Sequence, residues 1–442
     1  MSTNNAHVAV IGGGCAGLST AAALLDRGIQ VTVFEASSQL GGRARTVAVE
    51  NNNLLHLLDN GQHILLGAYR ETLALLSKIG IDENLAFLRV PLQMSMHSIS
   101  GLSEFSLKPA QYLPVPLNLL AGFLCCNGLS LSERIVAIKL MATLKKDQYI
   151  IAIDTPLERF LIDQQQSTKL IEVLWEPLCL AALNTPISIA STRIFLNVLR
   201  DSFSNDKKSS DFLLPRLDLS KIIAQPLSHY IHTKGGNIAL NSRIRKLEVD
   251  ANGFSLTTRN NKSFFSHVVI AVAPKNIDKL LQPLPKLQYL LDQVETYGYQ
   301  PIYTIYLQYP PETILPRIMT GLTRSITQWV FDRGQLCGEL GLISVVVSAN
   351  GSHQQLTQDE LALEIAKELD QVFPDLPQPL WYKVIAEKRA TFSCVPNLAR
   401  PTNKTMQSGL YLAGDYTYAD YPATIEGAIR SGAKCAELIA NS

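Results

Sequence analysis

Gly12, Gly14 and Gly17 fit a G-x-G-x-x-G arrangement directly after the apolar run Val8-Ala9-Val10-Ile11, and Glu35 closes the next apolar run. Each position has a chemical reason. Gly12 permits a tight turn out of a strand, Gly14 lets a pyrophosphate come close to the backbone, and Gly17 lets the following helix lie against the sheet. The free N–H groups and dipole at the start of that helix favour a phosphate. A carboxylate at Glu35 is placed to bind ribose hydroxyls and disfavours a 2′-phosphate. The plainer alternative is a tight strand–helix turn that binds nothing. Leu40-Gly41-Gly42-Arg43-Ala44-Arg45-Thr46 then offers a second anion-binding loop, whose guanidinium groups would neutralise a pyrophosphate. Glu176 is a lone carboxylate in the apolar run 175–186. Buried, it would have a raised pKa and could act as an acid near neutral pH. As a structural group it would accept backbone or helix-end hydrogen bonds, and this is the favoured alternative.

These groups need elements to hold them. The pattern predicts a strand over 8–11, a helix over 16–27 stopped by Gly28, and a second strand over 31–34. An amphipathic helix is expected over 68–79, closed by Gly80, after a polar turn at 51–53. The dinucleotide pattern stops near residue 80. It resumes with a helix over 225–233, short strands at 238–240 and 244–249, and an apolar strand over 267–273 that ends at Pro274. It resumes again at 409–415. The expected division is a discontinuous dinucleotide domain (1–80, 221–280, 402–442) and a substrate domain (81–220, 281–401). In the latter, strands are predicted over 301–309, 328–333, 342–348 and 382–386, and helices over 130–145 and 356–373. Residues 113–131 lie in a long uncharged stretch, but Pro114, Pro116, Asn118, Gly122, Asn127 and Gly128 break it up. That argues against a membrane-spanning helix. A buried core element is the first expectation, and a surface-inserting face carrying Leu117, Leu120 and Phe123 the second.

At 442 residues two domains are the natural expectation. A net charge of +1 gives no electrostatic case for nucleic acid. Hydrophobic residues make up 47% and charged residues only 17%, which fits an apolar cavity or a membrane-docking face. The seven cysteines are scattered without metal-type pairing, so no metal site is expected. Residues 1–7 are polar and lack the apolar core of a leader, and a reduced cytosolic setting is the simplest expectation.

The Gly-Gly-Arg stretch 41–43, together with Gly414-Asp415 and the helix that follows it, resembles the flavin amine oxidase and phytoene desaturase superfamily. The resemblance implies FAD rather than NAD. It implies an α/β fold: a discontinuous Rossmann-like FAD-binding domain and a mixed α+β substrate domain containing an antiparallel sheet. FAD contacts are implied at Gly12, Gly14, Cys15, Ala16 and Gly17, at Glu35 and Ala36, and at Gly42 and Arg43. Asn60, Gly61 and Gln62 would pass near the flavin ring. Ile244 would hold the adenine through its backbone, and Asp415 would bind the ribityl or pyrophosphate region beside Gly414. Thr424 and Ile425 would point a helix N-terminus at the flavin N1–C2=O edge.

A narrower resemblance rests on Asp59-Asn-Gly-Gln-His63, Gly67-Ala-Tyr-Arg-Glu71, the 176–186 run, Trp329 with Phe331-Asp-Arg-Gly334, and Tyr421-Pro-Ala-Thr-Ile-Glu-Gly427. Together these look like the squalene-associated FAD-dependent desaturases, now understood as hydroxysqualene dehydroxylases of hopanoid synthesis. The implied reaction removes the hydroxyl of hydroxysqualene, with hydride from reduced flavin N5 and loss of water. His63, Glu176 and Asp332 are the candidate proton donors. For His63 a hydrogen-bonded structural role is the alternative. The implied partners are hydroxysqualene or a similar long isoprenoid, the enzyme that makes hydroxysqualene, and the inner face of the cell membrane. Competing readings are an isoprenoid desaturase, an amine oxidase, and a flavin-free isoprenoid-binding protein like the GDP-dissociation inhibitors of prenylated GTPases.

Overall fold

The computed structural model describes residues 6–51, 54–100, 102–203, 206–282 and 284–442. Most of the polar start, and Asn52 and Asn53 of the expected turn, lie outside them.

The chain opens with β1 (His7–Ile11), α1 (Cys15–Leu25) and β2 (Gln30–Phe34). β1 and β2 pair in parallel, and the strands Asn237–Ala239, His267–Ile270 and Leu410–Leu412 complete a five-stranded parallel sheet. In spatial order it runs Asn237–Ala239, β2, β1, His267–Ile270, Leu410–Leu412. Val8 to Ile11 are all buried, as a central parallel strand covered on both faces requires. The sheet is thus assembled from three separated parts of the sequence, at 7–34, 237–270 and 410–412.

A hairpin of β3 (Thr46–Asn51) and β4 (Leu54–Asp59) follows, then β5 (Leu65–Leu66) and α2 (Arg70–Lys78). Next come α3 (Glu83–Ala86), β6 (Phe87–Val90), β7 (Met94–His97), β8 (Ser103–Leu107), α4 (Leu117–Leu124) and α5 (Leu131–Lys146). β7 and β8 join a seven-stranded sheet whose remaining strands are Met319–Leu322, Trp329–Asp332, Leu342–Ser348, Tyr299–Gln308 and Trp381–Phe392. Its pairings are antiparallel except that Met319–Leu322 meets β7 in parallel. All of these strands come from residues 94–107 and 299–392.

Several boundaries differ from the sequence reading. Ile244 lies in a loop, because the strand after it begins only at Lys246. The strand expected over 382–386 runs from Trp381 to Phe392. It is an edge strand of the large sheet, and the charged run Glu387-Lys388-Arg389 that hides it from a hydrophobic pattern blunts that edge. α4 is neither a core element nor uniformly exposed. Asn118, Gly122 and Phe123 are buried, and Leu117, Leu120 and Leu124 face solvent. Phe123 is therefore removed from the surface-inserting face and Leu124 takes its place. No helix among the described residues is long and apolar enough to cross a membrane.

Candidate active site

The two glycine loops lie against each other. Gly41 N–H donates to the Gly13 carbonyl at 2.8 Å, and Gly14 and Gly41 form an isolated bridge. Gly12 adopts φ +117°, and a Cβ there would lie 2.5 Å from the Ala271 oxygen. A Cβ on Gly17 would lie 1.9 Å from the Gly12 oxygen, so this glycine lets α1 reach the sheet. Gly14 is different. Its backbone is extended, and an added Cβ would meet only the Gly42 Cα, at 3.9 Å. Neither Gly14 nor Gly42 puts a side chain where the two loops touch, which leaves the backbone bare there.

α1 begins at this slot with no side-chain cap and no acid in its first turn. Its first N–H groups have the arrangement that holds a phosphate. Arg43 reaches across to Asp415 at 2.7 Å and donates to the Ala390 carbonyl at 2.5 Å. Asp415 is buried, and its charge holds the Arg43 guanidinium above its ordinary pKa. The first loop, the second loop and the C-terminal Gly-Asp turn thus meet at one place. Cys15 and Ala16 open the helix at the slot. Burial pushes the Cys15 thiol up to about 11, so it stays protonated and chemically quiet.

Glu35 sits at the end of β2. Its two oxygens accept N–H bonds from Gly13 and Ser37, both at 2.8 Å. A carboxylate has acceptor capacity left over for hydroxyl donors. Ala36, next to it, is exposed. The loop that leads to the buried Ile244 is fastened here, through Ser242 N–H to Glu35 O at 2.8 Å and Asn241 N–H to Ser37 O at 2.9 Å. At the far end, Thr424 caps the helix Ile425–Ala440 by accepting from Gly427 N–H at 3.1 Å. That helix packs closely on α1, where a Cβ on Gly432 would lie 2.1 Å from Ser19 Oγ. Its buried Glu426 turns away to the start of α2. It accepts from Glu71 N–H, Thr72 N–H and the Thr72 hydroxyl, and pairs with Arg430 at 2.7 Å. These observations fit a dinucleotide: two glycine loops free of side chains, an uncapped helix start, and a cation and an acid bonded to the same loops.

Among the described residues no hydrogen bond joins the three candidate proton donors to one another. His63 donates from Nδ1 to the Gly61 carbonyl at 2.7 Å, which fixes the neutral ring with Nε2 as an acceptor. Burial, with Arg43 nearby, lowers its pKa, against the effect of the Gly61 bond. His63 is a poor acid at neutral pH. Glu176 is half-buried at the start of the helix Glu176–Leu183, and its pKa is raised by burial and by Glu172 and Glu158. The charged groups acting on it are thus two other acids. Asp332 is fully engaged as a helix cap. Its oxygens accept from Leu315 N–H at 2.8 Å, Gln335 N–H at 2.9 Å and Gln335 Nε2 at 2.7 Å. In this structure its oxygens serve as acceptors.

The neighbouring Arg333 is the residue that the 331–334 run contributes. It is buried, pairs with Glu339, donates to Gln62 Oε1 at 2.9 Å and stacks over the Tyr306 ring. Asn60 N–H donates to the Arg45 carbonyl, which joins this segment to the second glycine loop. Thr304 was not foreseen either. Its hydroxyl is buried without a partner, and it stands 3.6 Å from where a Cβ on Gly61 would be. Asp59 is another, with burial pushing its carboxyl up to about 6 despite bonds from Leu219 N–H and Thr46.

A separate cavity of about 480 Å³ lies beside this site. Its walls include Met94, Leu107, Phe212, Leu214, Ile318 and Met319, with Lys108 and Arg317 as the only charged lining residues. The strand that carries Phe212 and Leu214 pairs with β5, just beyond His63. None of Gly14, Arg43 or Asp415 lines it.

A family model described as flavin containing amine oxidoreductase matches residues 15–440. Hydroxysqualene dehydroxylase of Zymomonas mobilis is 28% identical over 97% of this chain and 98% of its own length. The chloroplast 15-cis-phytoene desaturase of Arabidopsis thaliana is 27% identical over 98% of this chain and 79% of its own. A solved oxidoreductase structure from Methanosarcina mazei superposes with a TM-score of 0.74 at 17% identity, covering 98% of this chain and all of that one, a likeness of fold.

Proposed function

We propose that this chain, which belongs to the flavin containing amine oxidoreductase family and is an FAD-dependent oxidoreductase, reductively removes the hydroxyl of hydroxysqualene to give squalene. The observation that carries the reading is collinearity. The match to a hydroxysqualene dehydroxylase takes in 98% of that protein, whereas the match to a phytoene desaturase leaves about a fifth of the relative uncovered. The cavity, with Met94, Leu107, Phe212, Leu214, Ile318 and Met319 among walls that also carry polar groups, supports a long hydrocarbon substrate.

FAD supplies the hydride when bound. The chain supplies its seat: the α1 N-terminus, Gly14 and Gly42 for the pyrophosphate, Arg43 for its charge, Glu35 for the ribose, Ile244 for the adenine, and Asp415 and the Thr424–Ile425 turn for the remainder. Ala36, Asn60, Gly61 and Gln62 complete the lining. In this reading His63 accepts the substrate hydroxyl at Nε2 and orients it, and Arg333 holds Gln62 in place. A neutral His63 leaves ionisation of an allylic C–O bond as the favoured route, with the departing oxygen taking its proton from water or from Glu176. The reaction balances as alcohol plus hydride plus proton giving hydrocarbon plus water. The division into an FAD domain (1–80, 221–280, 402–442) and a substrate domain (81–220, 281–401) is part of the same proposal.

Product chemistry tests it. The flavoprotein, reduced with dithionite under nitrogen and given hydroxysqualene, should yield squalene by mass spectrometry. Quantitative recovery of the alcohol would refute the reading. A second reading, oxidation of an isoprenoid, is favoured by the match to phytoene desaturase and uses the same seat and cavity.

A further inference from the structure

The strand Tyr299–Gln308 runs between Leu342–Ser348 and Trp381–Phe392 in the large sheet. Its side chains alternate between the two faces. Tyr303, Ile305 and Leu307 pack with Leu361, Ile365 and Leu369 of the helix Gln358–Val372. Ile302, Thr304 and Tyr306 turn the other way, toward residues 59–62. Tyr306 Oη donates to the Asp59 carbonyl at 3.0 Å. Ser344, paired with Tyr306 across the sheet, donates to Gln62 Oε1 at 3.3 Å, and Arg333 reaches the same oxygen at 2.9 Å. The polar side chains of this face thus hold the 59–62 segment in place.

Thr304 is the exception. It is fully buried, and its hydroxyl has no partner among the described residues. Directly paired residues of an antiparallel sheet share a face. Those beside Thr304 are Val346 and Ile385, and neither side chain can bond a hydroxyl. A buried hydroxyl without a bond costs stability, and valine would fill the same space in a strand without that cost. The fold therefore gives no reason for a threonine here.

The surroundings of Gly61 give one. The Thr304 hydroxyl oxygen lies 3.6 Å from the point that a Cβ on Gly61 would occupy, and His63 Cε1 lies 3.5 Å from the same point. The His63 ring is fixed by its Nδ1 bond to the Gly61 carbonyl at 2.7 Å, which turns Nε2 into the acceptor. An O–H donor and an imidazole acceptor beside one bare Cα complement an alcohol, which accepts through its oxygen and donates through its hydrogen.

We propose that Thr304 is a specificity-determining residue: its hydroxyl donates to the oxygen of the substrate alcohol while that alcohol donates to His63 Nε2. The proposal rests on the hydroxysqualene reading and adds to it the group that tells the alcohol from a plain hydrocarbon. A hydrocarbon of the same length leaves the Thr304 hydroxyl buried and unbonded, and this disfavours it.

The test uses the oxidised flavoprotein, in which the proposed reaction cannot proceed, so that binding is read alone. Hydroxysqualene and squalene, dispersed in the same detergent, are titrated against the flavin absorbance band. The parent should bind the alcohol about tenfold or more tightly than the hydrocarbon. Thr304→Val should cut that ratio about fivefold by weakening alcohol binding, with the affinity for squalene no lower than the parent's. Thr304→Ser, which keeps the donor, should retain the preference. Thr304→Val should also melt at or above the parent's temperature with full flavin content, because an unbonded buried hydroxyl has been removed. Three results overturn the proposal: a parent that binds both ligands alike, an unchanged ratio in Thr304→Val, or a Thr304→Val protein that loses stability or flavin. The last would assign the hydroxyl to the fold or to the cofactor seat. No turnover enters these titrations. Failure of the reduced enzyme to form squalene would refute the reaction proposed above and leave the binding ratio to be read on its own.

Discussion

Gly14→Ala separates a binding glycine from a structural one. The extended backbone at Gly14 accepts alanine without strain, and the new Cβ would lie in ordinary contact, 3.9 Å from Gly42 Cα. Loss of glycine's unfolded-state freedom should stabilise the apoprotein by about 0.4–1 kcal/mol, raising its melting point by about 2 °C or less. The methyl group nevertheless covers the backbone that the proposal gives to the pyrophosphate. Moving a pyrophosphate off the α1 N-terminus forfeits a charge-assisted hydrogen bond, about 1.5–3 kcal/mol. FAD affinity should fall by roughly 10-fold to a few hundred-fold. The assay compares melting of flavin-stripped proteins, so that ligand stabilisation does not enter, and then titrates FAD back against tryptophan fluorescence. Gly17→Ala is the companion, since its Cβ would lie 1.9 Å from the Gly12 oxygen. It should lower stability and FAD affinity together. Unchanged FAD affinity in Gly14→Ala would refute the placement of the phosphates beside Gly14.

Other expectations follow from buried charges. Asp59 has its folded-state pKa raised to about 6 from an ordinary 3.8, so its ionisation opposes folding. Stability should fall by roughly 3 kcal/mol in all as pH rises from about 3 to about 7, through the folded-state value, and Asp59→Asn should flatten that part of the urea-midpoint profile. An unaltered profile contradicts the assignment. Glu426→Ala takes the acceptor from four donors at once, leaving the start of α2 without its partner and Arg430 with only the longer pair to Asp201 at 3.7 Å and the Tyr418 hydroxyl. It should cost about 3–5 kcal/mol by denaturant titration, and a loss under 1 kcal/mol would show that the network relaxes freely. His63→Gln should lower turnover about tenfold with FAD content intact, and the parent's rate should be level from pH 7 to 8, because a lowered pKa leaves the ring neutral there. A rate that falls steeply with rising pH in that range would point to a charged imidazole as the acid.

The strand–turn–helix that the proposal makes the cofactor seat was legible because its logic is local. Gly12, Gly14 and Gly17 act within one strand–turn–helix, and Gly414-Asp415 within another, so spacing alone carries the geometry. Asp332 and Arg333 show where that ends. They are consecutive, and only the position of Leu315 and Gln335 decides that the aspartate caps a helix while the arginine reaches Gln62. Phe123 shows the same for helical phase. Pro109 beneath Gly122 sets which side of α4 is inside, and no pattern within 117–124 encodes it. Asn184, within the run that carried the narrower resemblance, turns out to be a fastening. Its left-handed backbone (φ 46°) lets its amide bond Thr391 Oγ1, the Pro301 carbonyl and Ala349 N–H, tying the helix Glu176–Leu183 to three strands of the large sheet. That role depends on partners more than a hundred residues distant along the chain.

The direction of electron flow tests the account most directly. The flavoprotein is divided under anaerobic conditions: one portion is reduced and mixed with hydroxysqualene, the other is left oxidised and mixed with phytoene, and flavin absorbance and lipid products are followed in both. The account predicts reoxidation with stoichiometric squalene in the first and no change in the second. Bleaching of the oxidised enzyme with formation of a desaturated product, while the reduced enzyme stays reduced, would contradict it.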